Sequence, residues 1–172
     1  MAKINYHTIT TDDMLNGEGL RVVLWVAGCG HFCKNCQNPE TWDPTLGTKF
    51  TDDTLQELMD KLDKPHIAGL TLSGGDPLYP MNINKISKII KIINKNFPDK
   101  TIWLYTGFKY EDVANTEVGM SILKHIDVLV DGKFEEDLAD INYHYAGSTN
   151  QRIIDVKETL KSGKITSYIE KE

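Results

Sequence analysis

The sequence of 172 residues predicts an α/β fold, a partial, open β/α barrel with a mostly parallel sheet. Short runs rich in β-branched and aromatic residues alternate with helical periodicities, and this alternation is typical of parallel βα units. A closed eight-unit barrel takes about 250 residues. At roughly 30 residues per βαβ unit, the chain can hold only about four to six strands. No segment has linker composition, so we expect residues 1–172 to form a single domain.

The first half of the chain contains two predicted strands and one helix. Residues 21–27 are rich in valine and end at a glycine, which predicts the first strand. A helix follows Thr51, its predicted N-cap, and ends before Pro65. The apolar residues of this helix recur at the spacing of one face: Leu55, Leu58, Met59 and Leu62. Residues 68–72 then predict a buried strand.

The second half repeats the pattern. An amphipathic helix is predicted over residues 82–96 and a strand over 101–105. A weaker helical pattern covers residues 110–124, and 126–130 predict a further strand. Residues 152–156 predict the final strand.

The three cysteines of the chain fall within eight residues, with the spacing C-x3-C-x2-C: Cys29, Cys33 and Cys36. Thiolates suit zinc or iron–sulfur centres. A closed zinc site takes four protein ligands, and an electron-transfer cluster usually has four cysteines. Three thiolates therefore favour a cubane cluster with one iron left open to a ligand that is not protein. Two alternatives remain open, namely three buried apolar cysteines, or zinc with His31 or His66 as the fourth ligand.

The second motif is Ser-Gly-Gly-Asp-Pro at residues 73–77, directly after the second predicted strand. Gly74 and Gly75 would let the backbone approach a ligand closely, although a strand-to-helix turn also needs glycine. Asp76 either binds a ligand amine or caps the turn before Pro77. Both loops follow strands of a mostly parallel sheet, so we expect them to meet at its carboxyl edge, where chemistry gathers in such folds.

Composition excludes some classes of function. The formal net charge of −6 argues against a non-specific nucleic-acid binder. The longest apolar stretch is too short to span a bilayer, and the amino terminus lacks the apolar segment of a signal peptide. We therefore expect a cytoplasmic protein with no membrane or nucleic-acid partner, in which clustered cysteines indicate metal or redox chemistry.

With these motifs, the chain resembles the radical S-adenosylmethionine enzymes, and more narrowly the activating enzymes of anaerobic (class III) ribonucleotide reductases. The cysteine pattern marks the superfamily, whereas SGGDP, VDGKF at 130–134 and GSxNQ at 147–151 mark the branch. The resemblance implies a barrel of the radical-SAM type whose three cysteines hold a [4Fe-4S] cluster, with S-adenosylmethionine on the fourth iron. It also implies the residues that contact S-adenosylmethionine: Asn35, Cys36 and Gln37 along the adenosyl group, and Gly74 and Gly75 near the methionine group.

The reaction that the resemblance implies is the activation of a reductase. One electron from reduced flavodoxin or ferredoxin would cleave S-adenosylmethionine to methionine and a 5′-deoxyadenosyl radical. That radical would take hydrogen from a glycine Cα of the anaerobic ribonucleoside-triphosphate reductase and leave a stored glycyl radical. The protein would then be a radical S-adenosylmethionine oxidoreductase that needs no acid–base pair, and no catalytic residue is nominated.

The chain departs from the superfamily pattern at two positions. Asn35 stands where many members carry an aromatic residue, and Asp76 replaces a glutamate. Two other functions remain as alternatives: an activase of another glycyl-radical enzyme, of the pyruvate formate-lyase type, or a non-catalytic metal-binding or electron-transfer module.

Overall fold

Residues 3–169, which the computed structural model describes, form one seven-stranded open sheet with five α-helices. The strands are β1 (Asn5–Asp13), β2 (Leu20–Val26), β3 (Thr48–Lys49), β4 (Ile67–Gly74), β5 (Thr101–Tyr105), β6 (Val128–Asp131) and β7 (Arg152–Asp155). The helices are α1 (Asp52–Leu62), α2 (Ile83–Asn96), α3 (Tyr110–Ala114), α4 (Glu117–Leu123) and α5 (Val156–Ser162). None of these helices is long and apolar enough to cross a membrane.

The sheet confirms the predicted fold class, a mixed α/β fold with a mostly parallel open sheet. Its order is β3-β1-β2-β4-β5-β6-β7, and the four central strands from β2 to β6 are parallel. The edge pairings are antiparallel, since β1 pairs with β2 and β3, and β7 pairs with β6. The estimate of four to six strands was too low. The strand β1 has a mostly polar sequence and a half-exposed surface, with Tyr6 and Ile9 packed against the main core, so it lacks the apolar run that predicts a buried strand.

The helices lie where the sequence predicted them, but one predicted helix is divided into two. Helix α1 begins after Thr51, whose side chain accepts a hydrogen bond from the amide of Thr54 at 3.4 Å. The single helix expected over 110–124 is two helices, α3 and α4. Thr116 lies between them with extended backbone and accepts a hydrogen bond from the amide of Gly119 at 3.0 Å. A threonine cap of this kind starts a new helix and therefore interrupts the longer one.

The central strands are buried on both faces, as expected for parallel strands covered by helices. On one face Leu24 and Leu104 pack in the main core with α1 and α2. On the other face Trp103 and Val130 pack in a smaller cluster with several tyrosines. The site described below is therefore supported by rigid strands, while its own residues lie on loops.

A buried cation joins the strands near their amino ends. Arg21 of β2 is fully buried and lies over the ring of Trp103, with its Cζ 5.6 Å from the ring centroid. Its five hydrogen bonds, of 2.8 to 3.0 Å, go to neutral oxygens: Thr71 Oγ1, Thr101 Oγ1, and the carbonyls of Glu18, Leu70 and Thr101. Burial lowers the pKa of Arg21 to about 10. The guanidinium thus ties β2, β4 and β5 together at the end of the sheet opposite the cysteines.

Candidate cofactor site

The cysteine and glycine loops meet at the carboxyl end of the sheet, as the sequence predicted. Strands β2 and β4 are parallel neighbours, with Val26 opposite Gly74. Beyond the last paired residues, the amide of Gly75 donates to the carbonyl of Val26 at 2.8 Å. The amide of Asp76 donates to the carbonyl of Gly28, also at 2.8 Å. The two loops therefore continue the sheet pairing up to the start of the cysteine motif.

A cavity of about 600 Å³ opens where these loops meet. Most of the residues predicted to hold the cofactors line it: Cys29, Cys33, Cys36, Gln37, Gly74 and Gly75. The remaining walls come from the loops after β5 and β6 and from the segment before β7. The structure thus brings six of the seven candidate residues together. The exception is Asn35, which does not line the cavity.

The three cysteines are free thiols and half-buried on the cavity wall. They are not three buried apolar cysteines, so that alternative is wrong. The amide of Cys36 donates to the carbonyl of Cys33 at 3.1 Å, which curls the loop between these two residues. Three soft donors on one loop, facing a cavity with room for more than a single ion, fit an iron–sulfur cluster.

Zinc fits the site less well. Within residues 3–169, no group of three or more His, Cys, Asp or Glu side chains is arranged to hold a single metal ion. Thiolates that bind different irons of a cluster lie further apart than ligands of one ion, so this result disfavours zinc but not a cluster. The two candidate fourth ligands are also engaged elsewhere. His31 Nε2 lies 2.6 Å from Asp76 Oδ2, and His66 Nε2 lies 2.9 Å from Asp12 Oδ1.

The thiols of Cys29 and Cys33 are shifted towards their neutral form. Burial raises the pKa of Cys29 to about 11, and the negative charge of Asp76 adds to that effect. Burial also raises the pKa of Cys33, partly offset by the backbone amide of Phe134 and the charge of Lys133. Because a metal binds the thiolate, loading this site releases protons.

The two glycines of the glycine loop are required by contacts between backbones. Gly74 has φ of +102°, and a Cβ there would lie 2.6 Å from the amide nitrogen of Val26. At Gly75 a Cβ would lie 2.5 Å from the carbonyl oxygen of Gly28. Only glycine lets the loop after β4 approach the loop after β2 this closely.

Asp76 caps the turn, which is one of the two roles the sequence left open. Its side chain is almost completely buried, and Oδ1 accepts hydrogen bonds from the amide of Leu78 and from Thr106 Oγ1, each at 2.9 Å. Oδ2 accepts from the amide of Gly107 at 2.9 Å and contacts His31 Nε2. These four partners occupy the carboxylate, which leaves no free face for a ligand amine. The partnership with His31 was not predicted, because nothing local in the sequence links residues 45 positions apart.

The side chain of Asn35 faces the outer surface. Its backbone has φ of +54°, and its Nδ2 donates to Glu136 Oε1 at 2.5 Å. Lys34 Nζ lies 3.4 Å from the other carboxylate oxygen of Glu136. The side-chain amide of Asn35 is therefore engaged, and only its backbone remains for contact with a cofactor.

The two motifs of the carboxyl-terminal half form one wall of the cavity. Gln151 Oε1 accepts a hydrogen bond from the amide of Gly147 at 2.9 Å, and its Nε2 donates to the carbonyl of Gly132 at 3.0 Å. Asn150 Nδ2 donates to the carbonyl of Lys133 at 2.8 Å. These amide side chains hold segment 147–151 against segment 130–134.

Exposed apolar side chains stand at the mouth of the cavity. Met14 and Leu15 lie in the turn between β1 and β2, and Leu15 is 80% exposed. Ile141, in the segment between β6 and β7, is fully exposed. All three line the cavity opening, and we call them the apolar rim. Sequence reasoning missed the rim because isolated apolar residues in loops carry no pattern.

Comparison with known proteins gives concordant results. Residues 15–154 match the family model described as a 4Fe-4S single cluster domain. The chain is 46% identical over 150 residues to the anaerobic ribonucleoside-triphosphate reductase-activating protein of Enterobacteria phage T4, covering 87% of this chain and 93% of that one. It is 40% identical to the protein of the same name from Haemophilus influenzae, covering 87% of this chain and 97% of that one. The corresponding Escherichia coli K12 protein is 39% identical, covering 86% of this chain and 96% of that one.

Among solved structures, the crystal structure of QueE from Escherichia coli matches 62% of this chain and 54% of its own, with a TM-score of 0.45 and 13% sequence identity. This partial likeness is too low to support a functional inference.

Proposed function

This chain belongs to the family of anaerobic ribonucleoside-triphosphate reductase-activating proteins, and from that membership we propose that it activates an anaerobic ribonucleotide reductase by generating a glycyl radical on it. The observation that carries the proposal is the single cavity shared by the cysteine loop and the glycine loop. The enzyme would be a radical S-adenosylmethionine oxidoreductase.

The proposed ligands of the [4Fe-4S] cluster are Cys29, Cys33 and Cys36. When bound and reduced by one electron, the cluster and S-adenosylmethionine supply the bond cleavage and the hydrogen abstraction, as cofactors commonly do the hard chemistry. Gln37 and the backbone of Cys36 lie on the wall where we place the adenosyl group, together with the backbone of Asn35. We place the methionine group against Gly74 and Gly75, which face the same cavity.

The contribution of the protein is to bind the cofactors, to orient them and to enclose them. The glycine loop is pinned to the cysteine loop by backbone hydrogen bonds, which fixes the distance between the two halves of the site. The amide clamps of Gln151 and Asn150 hold the opposite wall. Such fixed geometry is worth a large fraction of a reaction barrier when reacting groups must meet within about 3–3.5 Å. No side chain is assigned as a catalytic acid or base.

A protein segment as substrate agrees with the shape of the opening. The apolar rim exposes Met14, Leu15 and Ile141 around one cavity, and grouped apolar surface, unlike isolated exposed residues, marks an interaction site. A small hydrophilic substrate gains nothing from this rim, whereas a loop of the reductase would cover it.

The site also constrains the source of the electron. The described residues supply three cysteine ligands, enough for one cluster and no internal relay. We therefore propose reduced flavodoxin or ferredoxin as the external donor, and the cytoplasm as the compartment in which donor and reductase are present.

Anaerobic reconstitution tests this function. The protein is loaded with iron and sulfide, then mixed with S-adenosylmethionine and dithionite, and 5′-deoxyadenosine is quantified. The Cys33→Ala variant should lose cluster and cleavage but retain the far-UV circular dichroism of the wild type, since Cys33 lies outside the core. Absence of 5′-deoxyadenosine from the wild type would contradict the radical chemistry and favour a non-catalytic metal-binding module.

Electron paramagnetic resonance identifies the partner. The loaded protein is mixed separately with a class III reductase and with pyruvate formate-lyase. A glycyl doublet on the reductase alone is the expected result. A doublet on pyruvate formate-lyase alone would show that the chain activates a different glycyl-radical enzyme.

A further inference from the structure

We propose that His31, held by the buried carboxylate of Asp76, is a positioning residue that sets the cysteine loop against the rest of the site before any cofactor binds. The inference rests on the proposed function, because it concerns the cysteines assigned there to the cluster. It goes beyond that assignment by giving a role to a residue between the cysteines that is not among the proposed ligands.

The orientation of His31 distinguishes it from the rest of its loop. Its side chain is 9% exposed, whereas the adjacent Phe32 is 63% exposed. His31 therefore turns inward from a surface loop. Its Nε2 lies 2.6 Å from Asp76 Oδ2, and a hydrogen bond to a carboxylate is stronger than one between neutral groups.

The carboxylate of Asp76 connects this histidine to two other loops. It accepts from the amide of Leu78 in its own loop, and from Thr106 Oγ1 and the amide of Gly107 after β5. A hydrogen bond to Asp76 thus fixes His31 relative to the ends of β4 and β5 at once.

The imidazole ring of His31 also packs closely against residues of the loop after β5. The ring of Phe108 packs against it edge-on, with centroids 4.6 Å apart. Gly107 lies beneath it, and a Cβ at that position would come within 2.5 Å of the imidazole ring. The glycine after Thr106 is therefore matched to a ring that comes from another loop.

The middle of the cysteine loop has few other contacts in the described part of the chain, and none of them is a buried hydrogen bond. Among the described residues, no backbone–backbone hydrogen bond joins segment 30–35 to another element. Cys29 is anchored separately, through its amide to the carbonyl of Trp42 at 3.1 Å. The contacts of Lys34 and Asn35 with Glu136 lie at the exposed surface and are correspondingly weak. Phe32 packs edge-on against Trp42, with centroids 5.2 Å apart, and the Cys33 thiol contacts the backbone amide of Phe134, but both side chains are partly exposed. Of the residues that separate Cys29 from Cys33, His31 alone forms a hydrogen bond with a buried carboxylate, so its loss should loosen the loop.

Three variants at this position separate the hydrogen bond from the ring. In His31→Gln the side-chain amide reaches about as far as Nε2 and can still donate to Asp76. In His31→Asn the amide is too short, and in His31→Phe the ring remains but the donor is lost. His66→Phe is the matched control, because His66 forms a similar contact with Asp12 on the open surface.

Trypsin cleavage of the cofactor-free protein measures the mobility of the loop directly. Lys34 is highly exposed within the cysteine loop, and cleavage after it requires the loop to open locally. A hydrogen bond to a charged group is worth about a tenfold or greater change in such an opening equilibrium. We therefore expect cleavage after Lys34, relative to cleavage after Lys164, to rise about tenfold in His31→Phe and His31→Asn. The wild-type rate is expected in His31→Gln and His66→Phe.

The loaded protein provides a second measurement. Iron loss to a chelator should be faster in His31→Phe by about the same factor and restored in His31→Gln, with a normal electron paramagnetic resonance spectrum for the reduced cluster of His31→Gln. Wild-type cleavage and iron loss in His31→Phe would overturn the proposal. If cleavage after Lys34 and iron loss rise equally in His31→Gln and His31→Phe, the hydrogen bond to Asp76 has no role in positioning the loop.

If His31→Phe does not fold, Asp76→Asn tests the same hydrogen bond from the other side. It replaces one carboxylate oxygen with an NH2 group, which cannot accept hydrogen bonds from both His31 and the amide of Gly107. It should also raise cleavage after Lys34, and unchanged cleavage would overturn the proposal. The trypsin assay needs neither cofactor nor reductase. A failure to activate the reductase would therefore contradict the proposed function while leaving the positioning role standing.

Discussion

The substitution Gly75→Ala should separate the two loops of the site without removing any functional group. The added Cβ would lie 2.5 Å from the carbonyl oxygen of Gly28 and 2.9 Å from that of Thr41. Both obstacles are backbone atoms, so no side chain can rotate away. The backbone of Gly75 does not have positive φ, and the effect is therefore one of space rather than of conformation.

The size of the displacement follows from these contacts. Ordinary van der Waals contact begins near 3.4 Å, so the glycine loop must move away from Gly28 by about 0.9 Å. A misplacement of about 1 Å can lower a reaction rate by about 100-fold. Overpacking of this kind costs typically about 1–3 kcal/mol of the free energy of unfolding, which a folded protein can tolerate. We therefore expect a folded variant with about 100-fold slower cleavage of S-adenosylmethionine.

The assay is the initial rate of 5′-deoxyadenosine formation by the reconstituted protein, normalised to bound iron, with thermal unfolding followed in parallel. Gly30→Ala is the matched control in the cysteine loop. A Cβ there would make an ordinary contact at 3.5 Å with the ring of Tyr79, and Gly30 does not have positive φ. If Gly75→Ala cleaves the cofactor as fast as Gly30→Ala, the close approach of the two loops does not position the reaction.

Three further predictions concern other parts of the molecule. Arg21→Met removes five hydrogen bonds from a fully buried charged side chain and leaves their acceptors without this partner, but it also removes the penalty for burying the charge. We expect a net loss of about 3 kcal/mol in the free energy of unfolding, measured in urea. The double variant Leu15→Ser/Ile141→Ser should lower glycyl-radical formation on the reductase several-fold at limiting reductase, while 5′-deoxyadenosine formation without the reductase is unchanged. The hydrogen bonds from Arg152 lower the pKa of Glu111 from 4.5 to about 2, so their stabilisation is present above pH 4.5 and is lost as the pH falls through 2. Glu111→Gln should therefore lower stability at pH 7 by at most about 1 kcal/mol, because the pair is largely exposed, and the thermal midpoints of variant and wild type should converge near pH 2.

Each of these predictions has a control or a contradictory outcome. An Arg21→Met protein as stable as the wild type would show that the buried charge costs as much as its hydrogen bonds return. Ile92→Ser changes a partly exposed isoleucine on α2, which does not line the cavity, and should leave radical formation intact. If glycyl-radical formation falls equally in Ile92→Ser and in Leu15→Ser/Ile141→Ser, the reductase does not dock at the rim. If the difference in thermal midpoint between Glu111→Gln and wild type stays constant from pH 7 to pH 2, the hydrogen bonds from Arg152 are not the origin of the pKa shift of Glu111.

Local patterns in the sequence were enough to predict the central strands and the position of the site. The apolar run in β2 and the helical spacing in α2 are strong signals, because both elements are buried in the main core. Once β2 and β4 are parallel, their following loops must lie at one edge, so the meeting of the cysteines with Gly74 and Gly75 was predictable. The strand β1 was not, since its residues are half-exposed and mostly polar.

Contacts between distant loops could not be predicted. The hydrogen bond between His31 and Asp76 depends on the register of β2 against β4 and on the space that Gly107 leaves for the ring. The clamp of Gln151 on the carbonyl of Gly132 depends on β7 returning antiparallel to β6. In both cases the residues carry no local pattern, and their roles appear only when three or more segments are assembled.

The placement of Arg21 has a consequence for how this protein can change. Its hydrogen bonds fix the amino ends of β2, β4 and β5, while the cysteine loop and the glycine loop follow the carboxyl ends of β2 and β4. The Arg21 network and the residues proposed to hold the cofactors therefore lie at opposite ends of the sheet. A substitution in the Arg21 network can therefore change the stability of the fold without touching a proposed cofactor ligand, and a substitution in the cysteine loop leaves the hydrogen bonds of Arg21 in place.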